Sequence, residues 1–134
     1  MSGPRLSIAR NDFGCFHIKA NNEITKIVVM GGYEAARIAR RLSSVEVLDV
    51  NTMTWRIGPS LPRRISDNKG IQSVSGPYLG FSTGGNCNGR RCNEIFGLKE
   101  TSQNVYTWEA LHSMTTGRTS HRAVNAPKSI LPNC

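Results

Sequence analysis

Acidic side chains are scarce in this chain. Nine Asp and Glu stand against 17 Lys and Arg in 134 residues, a net charge of +8. That balance favours acidic partners, whether nucleic acid, an anionic membrane or an acidic peptide, without choosing among them. Aromatic residues make up 7% and hydrophobic residues 38%, so the core that a single domain of this length can build is modest. No apolar run is long enough to span a membrane. The opening stretch "MSGPRLSIARNDFG" has no apolar signal core, and no N-x-[ST] sequon occurs. These gaps point to an intracellular, cytoplasmic protein. The four cysteines, Cys15, Cys87, Cys92 and Cys134, form no C-x-x-C pair, and no second pair answers Cys87 and Cys92, so a zinc site is not expected. They read as reduced thiols. A local Cys87–Cys92 disulfide is the alternative in an oxidising compartment.

What the chain does have is a period. "IVVMGGY" runs four apolar residues into Gly31 and Gly32, and 53 residues later "YLGFSTGGN" repeats the pattern at Gly84 and Gly85. Trp55 follows Gly32 by 23 residues, and Trp108 follows Gly85 by the same 23. Each tryptophan belongs to a Thr-Trp pair. Six residues past each stands an apolar residue, Leu61 or Met114, followed by Arg64 or Arg118. The same tail opens the chain as Leu6 and Arg10. A recurrence of this kind signals a modular array.

Within each copy the patterns are those of strands. "GCFHIKA" and "KIVVM" flank the polar turn "NNE". "SVEVLDV" and "MTWRI" alternate with period two. The second copy offers "KGIQSV", "YLGFST", "NEIFGL" and "NVYTWEAL". Four short strands per copy, divided by Gly, Pro, Asn and Ser clusters, make the sheet of one propeller blade. One segment departs: "YEAARIARRL", residues 33–42, carries helix formers and reads as a helical turn in a loop between the second and third strands. An α+β domain built round a helix at 33–42 is the competing reading.

The pattern resembles the kelch repeat: an apolar strand ending in Gly-Gly, a third strand ending in an aromatic and often Asp, a Thr-x-Trp or Asn-Thr-Trp segment, then Pro, Met or Leu, and Arg. "IVVMGG", "VEVLDVNTMTW" and "GPSLPRR" carry it in the first copy; "STGG", "NEIFG", "YTW" and "LHSMTTGR" carry it in the second. Leu48 replaces the third-strand aromatic in the first copy, and Phe96 fits that role in the second. The resemblance implies an all-β fold, a partial kelch β-propeller of two four-stranded antiparallel blades with partial flanking blades. The expected layout is the tail of a preceding repeat over 1–10, whole repeats over 11–63 and 64–117, and the start of a truncated third over 118–134. It implies structural roles for Gly31, Gly32, Trp55, Arg64, Gly84, Gly85, Phe96, Trp108 and Arg118, with the glycines avoiding collisions near a crowded axis and the tryptophans acting as packing anchors between sheets. An unclosed array is expected to self-associate.

The candidate chemistry is that of binding. His17, His112 and His121 lie on three dispersed segments with no ligand spacing, and no nucleophile elbow or phosphate loop occurs, so neither enzyme activity nor a cofactor or metal is expected. "RRLS" and "RRIS" resemble basophilic kinase sites at Ser43 and Ser66. The family resemblance implies a protein-interaction module. Many of its members are substrate-recognition halves of ubiquitin-ligase adaptors with a BTB domain, which this sequence does not contain. In a four-stranded blade the connection from strand two to strand three and the exit to the next blade lie at one end. Ten of the 17 basic residues therefore fall on one rim: Arg37, Arg40, Arg41, Arg63, Arg64, Lys69, Arg90, Arg91, Arg118 and Arg122. An acidic protein segment is the expected ligand, with Arg37, Arg40, Arg41, Arg90 and Arg91 as contacts. A nucleic-acid-binding module is the second reading, since no aromatic interleaves the arginine clusters to stack on bases. A non-functional truncated piece is the third.

Overall fold

The computed structural model describes residues 3–35 and 39–121. Its first sheet is formed by β1 (Gly14–Ala20), β2 (Glu23–Met30), β5 (Val45–Asp49) and β6 (Thr54–Gly58). The second is formed by β7 (Lys69–Gln72), β8 (Tyr78–Thr83), β11 (Ile95–Ser102) and β12 (Val105–Ala110). Each is an antiparallel meander in chain order. The turns follow local chemistry. Asn21 and Asn22 join β1 to β2 with φ of 51° and 64°, the left-handed pair that a two-residue hairpin requires and asparagine tolerates. Asn88 and Gly89 do the same further on, at 52° and 81°.

The connections between second and third strands hold a correction. No described residue is helical. Instead Tyr33–Glu34 (β3) pairs with Arg40–Arg41 (β4), and Asn86–Cys87 (β9) pairs with Arg90–Arg91 (β10). Helix formers in "YEAARIARRL" lose to the paired ends of the loop: Tyr33 and Asn11 exchange both backbone hydrogen bonds, at 2.8 and 3.0 Å, and Leu42 N–H donates to Gly32 O at 2.8 Å. Both described ends of the segment are therefore held extended. Residues 36–38 lie outside the described set.

Strand alternation sorts side chains to two faces. On the first sheet Phe16, Val28, Met30, Val45 and Val47 share the face turned to the second sheet and are all buried. Phe96 and Leu98 meet them from the second sheet, and Leu61 and Ile65 enter from the connecting segment. The other face of the first sheet carries Val29, Glu46, Leu48 and Trp55 and is met by the N-terminal segment, whose Pro4 carbonyl accepts the Trp55 indole N–H at 3.0 Å.

Candidate partner-binding rim and the blade junctions

The double glycines sit immediately after β2 and β8, as the sequence spacing implies. Their φ values are 65° and 97° at Gly31 and Gly32, and 56° and 107° at Gly84 and Gly85, the left-handed region costly for residues with a side chain. Space also forbids one. A Cβ at Gly31 would lie 2.5 Å from Ile65 O, and one at Gly32 2.7 Å from Asn11 O. At Gly84 it would lie 2.6 Å from Arg118 O, and at Gly85 2.5 Å from Ile65 Cγ2. Each pair is thus squeezed between the exit tail of its own sheet and the tail of the sheet before it. The sequence pointed to the crowding; the left-handed backbone was not legible.

The hydrogen bonds around these glycines repeat. Gly32 N–H donates to Ile65 O (2.8 Å) as Gly85 N–H donates to Arg118 O (2.7 Å). Ile65 N–H donates to Leu42 O (3.0 Å) as Arg118 N–H donates to Cys92 O (2.9 Å). Leu61 N–H donates to Ser43 O (2.8 Å) as Met114 N–H donates to Asn93 O (2.7 Å). Two expectations are corrected by this register. The residue equivalent to Arg118 is Ile65, not Arg64, which is why the arginine step differs by one between copies. Arg10, four residues after Leu6, is the other member of the set. Likewise Leu98, not Phe96, stands across from Trp108, as Leu48 stands across from Trp55. Phe96 takes the place of Glu46 and is buried in the core.

Arg10 shows what an arginine does at such a junction. Its guanidinium donates to Gly31 O and Ser44 O at 2.9 Å each, to Ser44 Oγ at 3.1 Å and to Glu46 Oε2 at 2.8 Å. Its side chain is fully buried, and that of Glu46 is 3% exposed. At the next junction Ile65 and Phe96 replace this ion pair with apolar packing. Trp108 spans the same junction, its indole N–H donating to Pro59 O at 2.9 Å. Pro59 precedes Leu61 as Pro4 precedes Leu6, so the two tryptophans make the same bond to equivalent carbonyls. Both are half-buried, not fully enclosed.

The rim is built from the two short hairpins. Leu42 and Cys92 are equivalent, so "RRL" and "RRC" place Arg40–Arg41 and Arg90–Arg91 alike. The shared pattern "RRLSSV" against "RRCNEI" could have shown this in the sequence. The unequal loops before it, 33–39 against 86–89, hid the match. Their charges differ in availability. Arg40 pairs with Glu34 at 3.1 Å, and Arg41 is half-buried with its Nε enclosed and unbonded. Arg63 pairs with Glu94 at 2.7 Å and Lys69 with Asp67 at 3.5 Å. Arg64, Arg90, Arg91 and Arg118 are exposed and make no ion pair among the described residues. Arg37 and Arg122 lie outside the described residues. Arg118 N–H bonds Cys92 O, and Gly117 packs against Arg91, so the backbone at 117–118 runs beside the Arg90–Arg91 strand.

Cys87 and Cys92 close that hairpin as a disulfide, correcting the expectation of reduced thiols at this pair; Cys15 is a free, exposed thiol. The Glu94 carboxylate lies near the two sulfurs, but the sulfurs are bonded to each other and Glu94 to Arg63. Ser66 is buried and bridged to Asn86 through both backbone groups, at 2.7 and 3.1 Å, so its kinase motif is not presented. Asp67 Oδ2 accepts from the Ser120 N–H (2.7 Å) and hydroxyl (2.9 Å). Burial works against the Asp67 carboxylate, yet these two bonds and Lys69 hold its pKa below the ordinary value. His121 bonds Thr83 Oγ1 at 2.8 Å. Its pKa is lowered by burial first, then by Lys69 and Arg118, against the opposing pull of Asp67.

Among known families, the Kelch motif matches residues 25–62. No curated protein matches the chain. Among the described residues no helix is long and apolar enough to cross a membrane.

Proposed function

We propose that this chain, whose residues 25–62 match the Kelch motif, binds an acidic segment of a partner protein on the rim that carries Arg90, Arg91, Arg118 and Arg64. Kelch repeats serve in general as protein-interaction modules. The observation that carries the finer reading is the unequal pairing of the rim: Arg40, Arg63 and Lys69 have carboxylate partners, whereas Arg64, Arg90, Arg91 and Arg118 are exposed and have none among the described residues. Of the contacts that the sequence suggested, Arg90 and Arg91 are the strongest. Arg40 and Arg41 serve as flanking charge. A short hairpin pinned by a disulfide presents two guanidinium groups with little ordering cost on binding. Guanidinium forks match carboxylates bidentately.

The test is a titration with a fluorescent Glu-rich peptide and, separately, a single-stranded oligonucleotide of equal charge. Wild type is compared with Arg90→Glu plus Arg91→Glu at low and high salt. The peptide should bind wild type, weaken with salt as screening shortens from about 10 Å at 0.1 M to about 3 Å at 1 M, and lose binding on charge reversal. Unchanged peptide binding in the variant refutes the site. Equal or tighter oligonucleotide binding replaces this reading with the nucleic-acid one.

A further inference from the structure

The molecule contains one tail-to-sheet junction of each kind and displays the two halves of a third. At the first junction, residues 3–10 lie on the outer face of the first sheet: Arg10 fills a site made by Gly31 O, Ser44 and Glu46, Ser7 N–H donates to Glu46 Oε1 at 2.7 Å, and Trp55 bonds Pro4 O. At the second, the tail of the first sheet meets the second sheet through Ile65 and Trp108. The tail of the second sheet ends with Met114 and Arg118 in the places of Leu6 and Arg10. It has no sheet to meet among the described residues. Arg118 is exposed there, and its guanidinium has no carboxylate partner among the described residues.

The face beside that tail is only partly covered by the described residues. By register, Ile71, Phe81 and Ile95 correspond to Phe16, Val28 and Val45 of the first sheet. The first-sheet residues are at most 5% exposed under the second sheet, whereas their counterparts are only half-buried. Charge selects what this face can meet. The Ile65 junction has no carboxylate to offer, since Phe96 stands where Glu46 would be. The outer face of the first sheet does have one, in a socket already shaped for an arginine on such a tail.

We propose that the outer face of the second sheet docks on the outer face of the first sheet of a second copy of this chain. Arg118 takes the Glu46 socket, and residues 3–10 of the receiving copy give way. The contacts broken are of the same kind as those remade, arginine for arginine and Met114 for Leu6. The net gain is the newly covered apolar face, the logic of an exchanged element. The interface is head-to-tail, so it closes into a ring or propagates. Two to four copies would assemble about four to eight sheets, the range in which such rings close. Within a single copy, residues 3–10 act as a cap that competes with assembly.

The experiment is a dilution series by sedimentation velocity on wild type, Arg118→Ala and Arg10→Ala, with circular dichroism as a folding control. Arg118 is exposed, so its replacement should leave the fold intact. Wild type should associate as concentration rises. Arg118→Ala should weaken that association at least about 30-fold, the equivalent of about 2 kcal/mol for one partner of a buried charged pair. Arg10→Ala, by vacating the socket, should tighten it. Should Arg10→Ala fail to fold, a synthetic peptide of residues 1–10 added to wild type gives the same information, because it should occupy the socket and inhibit association. A wild type that stays monomeric throughout overturns the proposal, as does an Arg118→Ala protein that associates like wild type. Arg90→Glu plus Arg91→Glu should leave association in place, so the rim reading and this one fail separately.

Discussion

Replacing Arg10 with alanine tests the junction directly. The side chain is wholly enclosed and makes four hydrogen bonds, one of them to the carboxylate of an enclosed Glu46. Alanine would leave that charge buried with only Ser7 N–H as a partner and would take the guanidinium donor from Gly31 O, while Ser44 O keeps the Gly31 N–H at 3.1 Å. Removing one member of a buried pair typically costs about 3–5 kcal/mol, much of it the stranded charge. A domain of this size is stable by only about 5–15 kcal/mol in total, so the loss is a large share. The molecule also supplies the compensating change. The next junction uses Ile65 and Phe96 in the equivalent places, so Arg10→Ile with Glu46→Phe should recover most of the loss, with a coupling energy of about 2 kcal/mol or more. Urea unfolding followed by tryptophan fluorescence reports Arg10→Ala, the double variant and its two singles, Arg10→Ile and Glu46→Phe, because Trp55 and Trp108 each span a junction. A single-mutant cost below about 1 kcal/mol would refute the reasoning. So would a double variant as unstable as the sum of its parts, which would mean that the two junctions are not built alike.

Four further outcomes follow from the same geometry. Trp108→Ala should cost about 2–4 kcal/mol and Trp55→Ala less, because Trp108 packs against the central cluster while the Trp55 bond to Pro4 lies at the exposed end of the array; equal costs in a denaturant titration would contradict this. Gly85→Ala should destabilise by about 1–3 kcal/mol from backbone strain alone, with the Ile65 clash added, and thermal unfolding near wild type would count against it. Cys87→Ser with Cys92→Ser should cost about 2 kcal/mol by loop entropy for so short a loop, read by comparing denaturation curves. Because His121 is held below its ordinary 6.5 in the fold, its contribution is present above that pH and is lost as pH falls through the depressed folded value. Stability should therefore drop on acidification below about pH 6.5, and His121→Asn, copying the Asn68 bond to Ser82 Oγ, should flatten the dependence; an unchanged pH profile would exclude His121 as its source.

The four strands of each sheet were legible because both signals that encode them are local: period-two alternation in "SVEVLDV" and "MTWRI", and Gly-Gly at the crowded end of the second strand. The extended ends of the next loop, residues 33–35 and 39–42, were not legible for the same reason. Their helix propensity is local, while the bonds that override it run to Asn11 and Gly32. Arg64 was matched to Arg118 because residue type is easier to see than register, and Ile65 carries the junction with a different chemistry. Glu46 drew no notice as an alternating strand residue, since the burial that gives it meaning comes from Arg10, 36 residues away. The Arg-Arg hairpins were recognised as charge but not as equivalents, because the loops leading to them differ in length.

The most direct measurement of where a partner binds is a nitrogen–proton NMR titration with the Glu-rich peptide, observing arginine Nε–H signals with the backbone amides. Shifts are expected at Arg90, Arg91, Arg118 and Arg64 and along Asn86–Arg91, with the turns at Asn21–Asn22 and Gln103–Asn104 on the opposite rim unmoved. Shifts confined to those opposite turns, or none at saturating peptide, would contradict it.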